Sequence, residues 1–196
     1  MQSFSSYLNE SSLSRIWKQT KEHDSGTISA FRSAKDCNQG EPYSKKENLQ
    51  RNAKLKAKLL NLGYGVTKIK GTYIENYGSD NEKEVKEDSF IVVDLKDTGK
   101  LEKDLRKLGE EFEQDSITFQ KKDGDYYLIG TNNCPDGYPG KGKKIKLGKP
   151  MYGKSGEFHS KINGRPFVFE SVESNLKKLT DFYPTEIRSI KLLAES

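Results

Sequence analysis

The chain has 196 residues, of which 32% are hydrophobic and 32% are charged, and its formal net charge is +5. This length suits one domain, and no apolar window approaches the roughly eighteen residues of a membrane-spanning helix. The N-terminus has no early basic residue and no apolar run, which argues against a secretory signal peptide. We therefore expect Cys37 and Cys134 to be reduced, unpaired thiols.

The first predicted elements are a helix, a strand and a longer helix. Apolar residues recur at helical spacing from Leu13 to Thr20, and a short strand is predicted over 27–31. Ser44 followed by Glu47 has the pattern of a capping box, and Gly63 is a natural C-terminal stop. The helix between them has a predicted apolar stripe made of Leu49, Ala53, Leu55, Leu59, Leu60 and Leu62.

The second half of the sheet is predicted from alternating and continuous apolar runs. Asp123-Gly124 is a strong hairpin signal between two of these runs. The predicted elements are strands over 66–75 and 89–95, a helix over 100–112, hairpin strands over 117–120 and 126–130, a basic glycine-rich loop over 131–164, a strand over 166–169, and helical segments over 170–179 and 187–193.

These elements predict one α+β domain over residues 11–196, with the order β-α-β-β-α-β-β and a mixed or antiparallel sheet. The two long helices are expected on one face of the sheet. The order is compatible with a ferredoxin-like split βαβ arrangement that carries an extra edge strand.

The first ten residues, MQSFSSYLNE, have their own pattern. Phe4 and Tyr7 precede Leu8 and Glu10, and the small residue Ser11 follows. This segment resembles the capsid-targeting leaders of internal head proteins in large contractile-tailed phages, which a prohead protease removes. The resemblance implies one cleavage between Glu10 and Ser11, with Leu8 as part of the recognised triplet, and a removable leader over residues 1–10.

The same resemblance implies a function and a location. The protein is expected in the virion interior and then in the host cytoplasm, with the prohead protease and the capsid interior as partners, no membrane and no cofactor. It would be injected to bind DNA or to counter a host defence protein. The alternatives are a small enzyme acting on nucleotides or nucleic acid, and a structural head component.

A second similarity covers residues 27–130. The runs TISAFR, SKKENLQRN, KEDSF and FEQDSI resemble a small bacterial and phage domain family of unknown function. This resemblance implies one shared polar pocket, and that pocket is the proposed centre of the enzyme alternative. Its candidate residues are Arg32, Asn48, Glu87, Ser89 and Gln114.

Positive charge is concentrated between Lys141 and Arg165, where eight basic residues face one acidic residue. Glycines and lysines together suit contacts with phosphates, so this stretch is predicted to bind nucleic acid. The candidate residues are Lys141, Lys143, Lys144, Lys146, Lys149 and Lys154. The alternative interpretation is a solvent-exposed flexible loop without a binding role.

No metal site is predicted, because His23 and His159 are isolated and no cysteine pair has ligand spacing. Carboxylates from Glu84 to Asp94 flank a predicted strand, an arrangement that a Mg²⁺-dependent nuclease also uses. Ordinary solvated strand ends explain these carboxylates equally well.

Overall fold

The computed structural model describes residues 15–75, 83–134, 137–152, 159–162 and 165–169. The helices are α1 (15–22), the one-turn α2 (Lys35–Asn38), α3 (Lys45–Asn61) and α4 (Leu101–Glu111). The strands are β1 (Ser25–Ser29), β2 (Gly65–Glu75), β3 (Lys83–Val93), β4 (Ser116–Gln120), β5 (Tyr126–Gly130), β6 (Lys144–Gly148), β7 (Pro150–Tyr152), β8 (His159–Ile162) and β9 (Arg165–Phe169). In this described part of the chain, no helix is both long and apolar enough to cross a membrane.

The strands form one sheet in the order β6-β5-β4-β1-β3-β2-β8-β9-β7, and every pairing between neighbouring strands is antiparallel. The central order β4-β1-β3-β2, with α3 and α4 as the two crossovers, is the split βαβ arrangement. The predicted α+β class and the order β-α-β-β-α-β-β are therefore confirmed. Strand β5 is the predicted extra strand beyond β4.

The hydrophobic core lies between the sheet and the two long helices. Helix α4 buries four apolar residues that recur at helical spacing, which are Leu101, Leu105, Leu108 and Phe112. They pack in one cluster with Ile28, Phe90, Val92, Ile117, Phe119 and Ile129 from the sheet. The opposite face of the sheet is more polar. There the hydroxyls of Thr27 and Thr118 lie 2.7 Å apart.

Helix α3 begins as predicted but buries a different face. The side chain of Ser44 accepts a hydrogen bond from the Glu47 backbone, and the Glu47 carboxylate accepts one from the Ser44 backbone. The buried positions are Asn48, Asn52, Leu55 and Leu59. The predicted stripe was therefore wrong in part, because Leu49, Leu60 and Leu62 are exposed and two asparagines lie against the sheet.

The prediction of one loop over residues 131–164 was also wrong. Strand β6 pairs with β5, and β7 and β8 both pair with β9. The sequence of β6 is KIKLG, whose alternation of charged and apolar residues suits an edge strand with one covered face. Surrounding glycines and lysines hid this short period-2 pattern. The leader over 1–10 and the two C-terminal helical segments lie outside the described residues.

Candidate functional site

At the end of β1 the chain leaves the sheet, and side chains of α3 bind its backbone. The Ala30 amide donates to Oδ1 of Asn52 at 2.8 Å. The Arg32 amide donates to Oδ1 of Asn48 at 2.9 Å, and Nδ2 of Asn48 donates back to the Arg32 carbonyl at 2.8 Å. Because Asn48 and Asn52 are one turn apart, a single helix face holds this segment.

Three further side chains bind the same segment. Nε of Arg51 donates to the Ala30 carbonyl at 2.9 Å, and Nε2 of Gln114 donates to the Phe31 carbonyl at 3.2 Å. The Phe31 amide donates to Oγ of Ser29 at 3.0 Å. Side chains thus satisfy every backbone polar group of residues 30–32, which is what a buried segment outside a sheet ladder requires. This explains why β1 ends two residues before the predicted strand.

The segment presents the guanidinium of Arg32, whose side chain is only 4% exposed. Nη1 lies 3.6 Å from Oδ1 of Asp115, and Nη2 donates to Sγ of Cys134 at 3.3 Å. Nε is buried and has no hydrogen-bond partner among the described residues. An arginine has five N–H donors, so this buried cation is incompletely bonded. Such a group is suited to bind an anion.

Asp115 is shared between this guanidinium and a neighbouring loop. Nδ2 of Asn132 donates to Oδ1 of Asp115 at 2.6 Å, and Oδ1 of Asn132 accepts from the Cys134 amide at 3.1 Å. The Thr131 amide also donates to the Asp115 carbonyl at 2.9 Å. The loops after α4 and β5 therefore form one wall beside Arg32.

The two cysteines are joined, which corrects the expectation of unpaired thiols. Cys37 and Cys134 form a disulfide with their Cα atoms 5.3 Å apart and 97 residues apart in sequence. Cys37 and its neighbour Asp36 both have left-handed φ angles, of 58° and 46°. The disulfide attaches this turn to the loop beside Arg32. Spacing in sequence carried no information about this contact.

The structure brings together three of the five predicted pocket residues, which are Arg32, Asn48 and Gln114. The amides of Asn48 and Gln114 are used to hold backbone groups, so both are positioning residues. Ser89 lies on β3 directly opposite Ser29 of β1. Glu87 precedes Ser89 by two residues on β3 and lies opposite Gly71 of β2. The structure does not describe the side chain of Glu87.

Sequence reasoning missed Asn52, Arg51, Asp115 and the cysteines as parts of this site. One signal was present: residues 48, 52, 55 and 59 have the four-three-four spacing of a buried helix face. The long-range contacts of Asp115 and Cys134 left no local pattern.

The end of β1 also leaves a notch in the sheet. Strand β2 pairs with β3 over the full length Lys83–Val93, whereas β1 pairs only with Ser89 to Val93 of β3. The carbonyl of Asp88 accepts hydrogen bonds from Ser29 and Asn52. Beyond it, residues 83–87 of β3 have no strand partner on the β1 side within the described residues. Arg32 and Glu87 belong to chain segments that border this notch.

Four of the predicted nucleic-acid lysines lie beside acidic side chains, whereas Lys143 is in no ion pair among the described residues. Lys144 lies 2.8 Å from Glu102, and Lys146 lies 2.6 Å from Asp125. The two remaining pairs are Lys141 with Glu110 at 3.2 Å and Lys149 with Asp123 at 3.7 Å. This matching lowers the net positive charge that the surface offers to phosphates. Lys154 lies outside the described residues.

The ion pair with Lys144 affects the pKa of Glu102. Burial raises the pKa of Glu102, but hydrogen bonds and charges from Lys144 and Arg106 outweigh burial, and its pKa lies below the ordinary value. The carboxylate therefore stays ionised and paired.

The acidic residues around β3 have local partners where they are described. Oδ2 of Asp94 accepts from the Thr98 hydroxyl and the Gly99 amide, and Asp88 lies 2.7 Å from Lys68. Within the described ranges, no three metal-ligating side chains converge. The side chains of Glu84 and Glu87 are not described, and a Mg²⁺ site at this strand stays an alternative to the predicted absence of a metal site.

An antiparallel sheet in split βαβ order, with two crossover helices on one face, defines the class of this domain. The model of the S-adenosylmethionine lyase family matches residues 26–170, which is most of the chain. The chain belongs to this family. No curated protein matches. A solved phage SAM lyase in complex with S-methyl-5'-thioadenosine is 19% identical, with 55% of this chain and 87% of that chain covered and a TM-score of 0.30. A similarity this low supports no argument by itself.

The family match corrects the interpretation as an internal head protein, including its prohead-protease cleavage. That interpretation depended on ten residues, whereas the family match covers the folded domain. Leu-x-Glu triplets also occur at Leu108–Glu110 and Leu193–Glu195, so the triplet at Leu8 is not distinctive. The weaker similarity over residues 27–130 falls inside the range that the family model matches. The enzyme alternative agrees better with this family than the head-protein interpretation does.

Proposed function

We propose that this protein is an enzyme that cleaves S-adenosylmethionine as a lyase. The observation that carries the proposal is the family match over residues 26–170. This family match favours the enzyme alternative over the head-protein interpretation. The name of the family also indicates a substrate that contains a nucleoside.

The chemistry of this substrate permits cleavage without water. The sulfonium sulfur is a good leaving group, so the bond from sulfur to Cγ of the methionine part breaks with both electrons moving to sulfur. S-methyl-5'-thioadenosine leaves. The substrate's own carboxylate oxygen attacks Cγ and closes a five-membered lactone, so no proton or co-reactant is needed. The protein must hold the chain of the substrate folded, because proximity of the two reacting groups is a large part of such a rate increase.

We assign the substrate to the notch beyond β1. Two features support this choice: the unpaired part of β3 offers backbone donors and acceptors, and Arg32 provides an incompletely bonded cation at its border. Glu87 lies on the β3 segment that lines the notch. A carboxylate attracts the sulfonium and ammonium charges of the substrate, so the position of Glu87 on this strand makes it our candidate for a substrate-binding residue.

The test is product analysis with purified protein and S-adenosylmethionine in ¹⁸O-labelled water. The lyase reaction releases S-methyl-5'-thioadenosine and an unlabelled lactone, and later opening of the lactone labels only the carboxyl group. Direct hydrolysis instead labels the γ-hydroxyl of homoserine. A γ-hydroxyl label, or no product above the protein-free rate, would reject the proposal.

A matched pair of variants tests the site. Glu87→Gln is expected to lower kcat/KM by at least about tenfold, the effect of losing roughly 1.4 kcal/mol of charge stabilisation. Glu22→Gln makes the same chemical change on α1 and is expected to leave kcat/KM unchanged. Equal activity of both variants would place the substrate elsewhere.

A further inference from the structure

We propose that Cys37 and Cys134 form a reversible redox site in which the guanidinium of Arg32 stabilises the thiolate of Cys134. Small thiols and disulfides are the class of co-reactant. The site shares Arg32 with the proposed substrate notch, but its tests measure sulfur chemistry alone, so they can fail without the lyase proposal failing.

The geometry distinguishes the two sulfurs. Sγ of Cys134 accepts a hydrogen bond from Nη2 of Arg32, whose side chain is almost completely buried. Low dielectric surroundings strengthen the attraction between a guanidinium and a thiolate. Cys37 has no such contact and lies on a turn with Asp36 exposed. Cys134 is therefore the better leaving thiolate of the two.

The guanidinium has the capacity for this role. Its Nε has no partner among the described residues, and its nearest carboxylate, on Asp115, is 3.6 Å away and bonded to Asn132. A buried polar group left in this state requires an explanation. A thiolate on Cys134 adds a second negative charge at Nη2, beside the Asp115 carboxylate that lies 3.6 Å from Nη1.

The reaction balances as ordinary thiol–disulfide exchange. A thiolate of the reductant attacks Sγ of Cys37, the Cys37–Cys134 bond breaks, and its electron pair leaves on Cys134 as a thiolate beside Arg32. A second thiol of the reductant then releases Cys37. In reverse, the Cys134 thiolate attacks a small disulfide such as oxidised glutathione, and Cys37 displaces the glutathione thiolate. Both cysteines are half-buried, so small reagents reach them.

Among the described residues, the other charged groups near the pair lie on the loop after α4 and on the turn that carries Cys37. Asp115 opposes thiolate formation from the loop after α4. On the turn itself, Lys35 is engaged with Glu41 at 3.9 Å, and Asp36 is exposed. Arg32 is therefore the positive group placed to lower the pKa of Cys134.

The first experiment equilibrates the full-length protein in glutathione buffers ranging from fully reduced to fully oxidised, followed by acid quench, alkylation and mass measurement. We expect both thiols to appear and disappear together as one two-electron transition. A pair that stays oxidised in excess reduced glutathione is a structural disulfide, and a pair that never closes is not a redox couple. Either result overturns the proposal.

The second experiment measures the pH dependence of iodoacetamide alkylation in Cys37→Ser, where Cys134 is the remaining cysteine. We expect a pKa below the ordinary value of about 8.5. Adding Arg32→Gln should raise the pKa of Cys134 and reduce its alkylation rate at pH 7 about tenfold per pKa unit. Arg32→Lys keeps the positive charge and should retain most of the alkylation rate.

Asp115→Asn in the Cys37→Ser background keeps the test valid where Arg32 variants fail to fold. Removing this carboxylate frees the guanidinium, so the pKa of Cys134 should fall further. An ordinary pKa that none of these substitutions moves would refute the role of Arg32.

Discussion

Asn48 holds Arg32 through two hydrogen bonds, one to its amide at 2.9 Å and one from Nδ2 to its carbonyl at 2.8 Å. Asn48 thus makes the two backbone hydrogen bonds that a neighbouring strand would make if β1 extended to Arg32. The side chain of Arg32 is consequently fixed beside the notch in the sheet. One turn later, Asn52 accepts from the Ala30 amide and donates from Nδ2 to the Asp88 carbonyl, so it tests the same segment without removing a hydrogen bond of Arg32.

Asn52→Ala is expected to lower the free energy of unfolding by about 2 kcal/mol, because the buried Ala30 amide loses its acceptor. Chemical denaturation at neutral pH measures this change. Asn61→Ala, on the exposed end of the same helix, is the control and should change stability by less than about 0.5 kcal/mol. Equal losses in the two variants would contradict this account, because alanine favours the helix more than asparagine does and only the lost hydrogen bonds can destabilise Asn52→Ala.

Glu102 should give a pH-dependent contribution to stability. Because its pKa is lower in the folded than in the unfolded state, the contribution is complete above the unfolded value of about 4.3 and is lost as pH falls through the folded pKa. Wild type should therefore be more stable than Glu102→Gln at pH 7, and the difference should shrink at pH 3. Urea unfolding at both pH values measures it, and a difference that grows in acid would contradict this account.

Tyr64 should ionise later than an ordinary tyrosine. Burial, followed by the hydrogen bond to Asp104 at 2.6 Å, raises the pKa of the phenol. Since the folded pKa is raised, the neutral phenol stabilises the fold at pH below about 10, and this contribution is lost as pH rises further. Absorbance titration should show a late component among the ten tyrosines that Tyr64→Phe removes. A titration unchanged by Tyr64→Phe would be incompatible with this environment.

Nucleic-acid binding by the lysines of 141–154 remains a prediction, and their ion pairs suggest a sharp test. In the native protein the acidic partners compete with phosphate, so affinity for a DNA duplex should be weak and should fall steeply with salt. Replacing Glu102, Glu110, Asp123 and Asp125 by their amides should increase affinity severalfold. Replacing Lys144 and Lys146 by Gln should reduce it. DNA binding that is insensitive to all of these changes would show that this surface does not bind the duplex.

Local patterns in the sequence determined much of the central fold. The Ser44–Glu47 capping box and the leucine spacing of α4 need only neighbouring residues, so both helices were predicted near their true limits. Strands β2, β4 and β5 and the second half of β3 follow from apolar runs and the turn at Asp123-Gly124, whereas the charged first half of β3, residues 83–88, was not predicted as strand. That turn has Asp123 at a left-handed φ of 51° and closes with a hydrogen bond from the Gly124 amide to the Lys121 carbonyl.

Only the tertiary structure decided the buried face of α3, the partner of each cysteine and the state of the basic stretch. Asn48 and Asn52 are buried because an irregular segment needs their amides, a demand set by distant residues. Cys37 and Cys134 meet because the loops after β1 and β5 converge at one end of the sheet. The lysines of β6 acquire acidic partners from α4 and from the β4–β5 turn. The sequence alone thus determined helices and strands through local spacing, while contacts across the chain decided which polar groups are free to do chemistry.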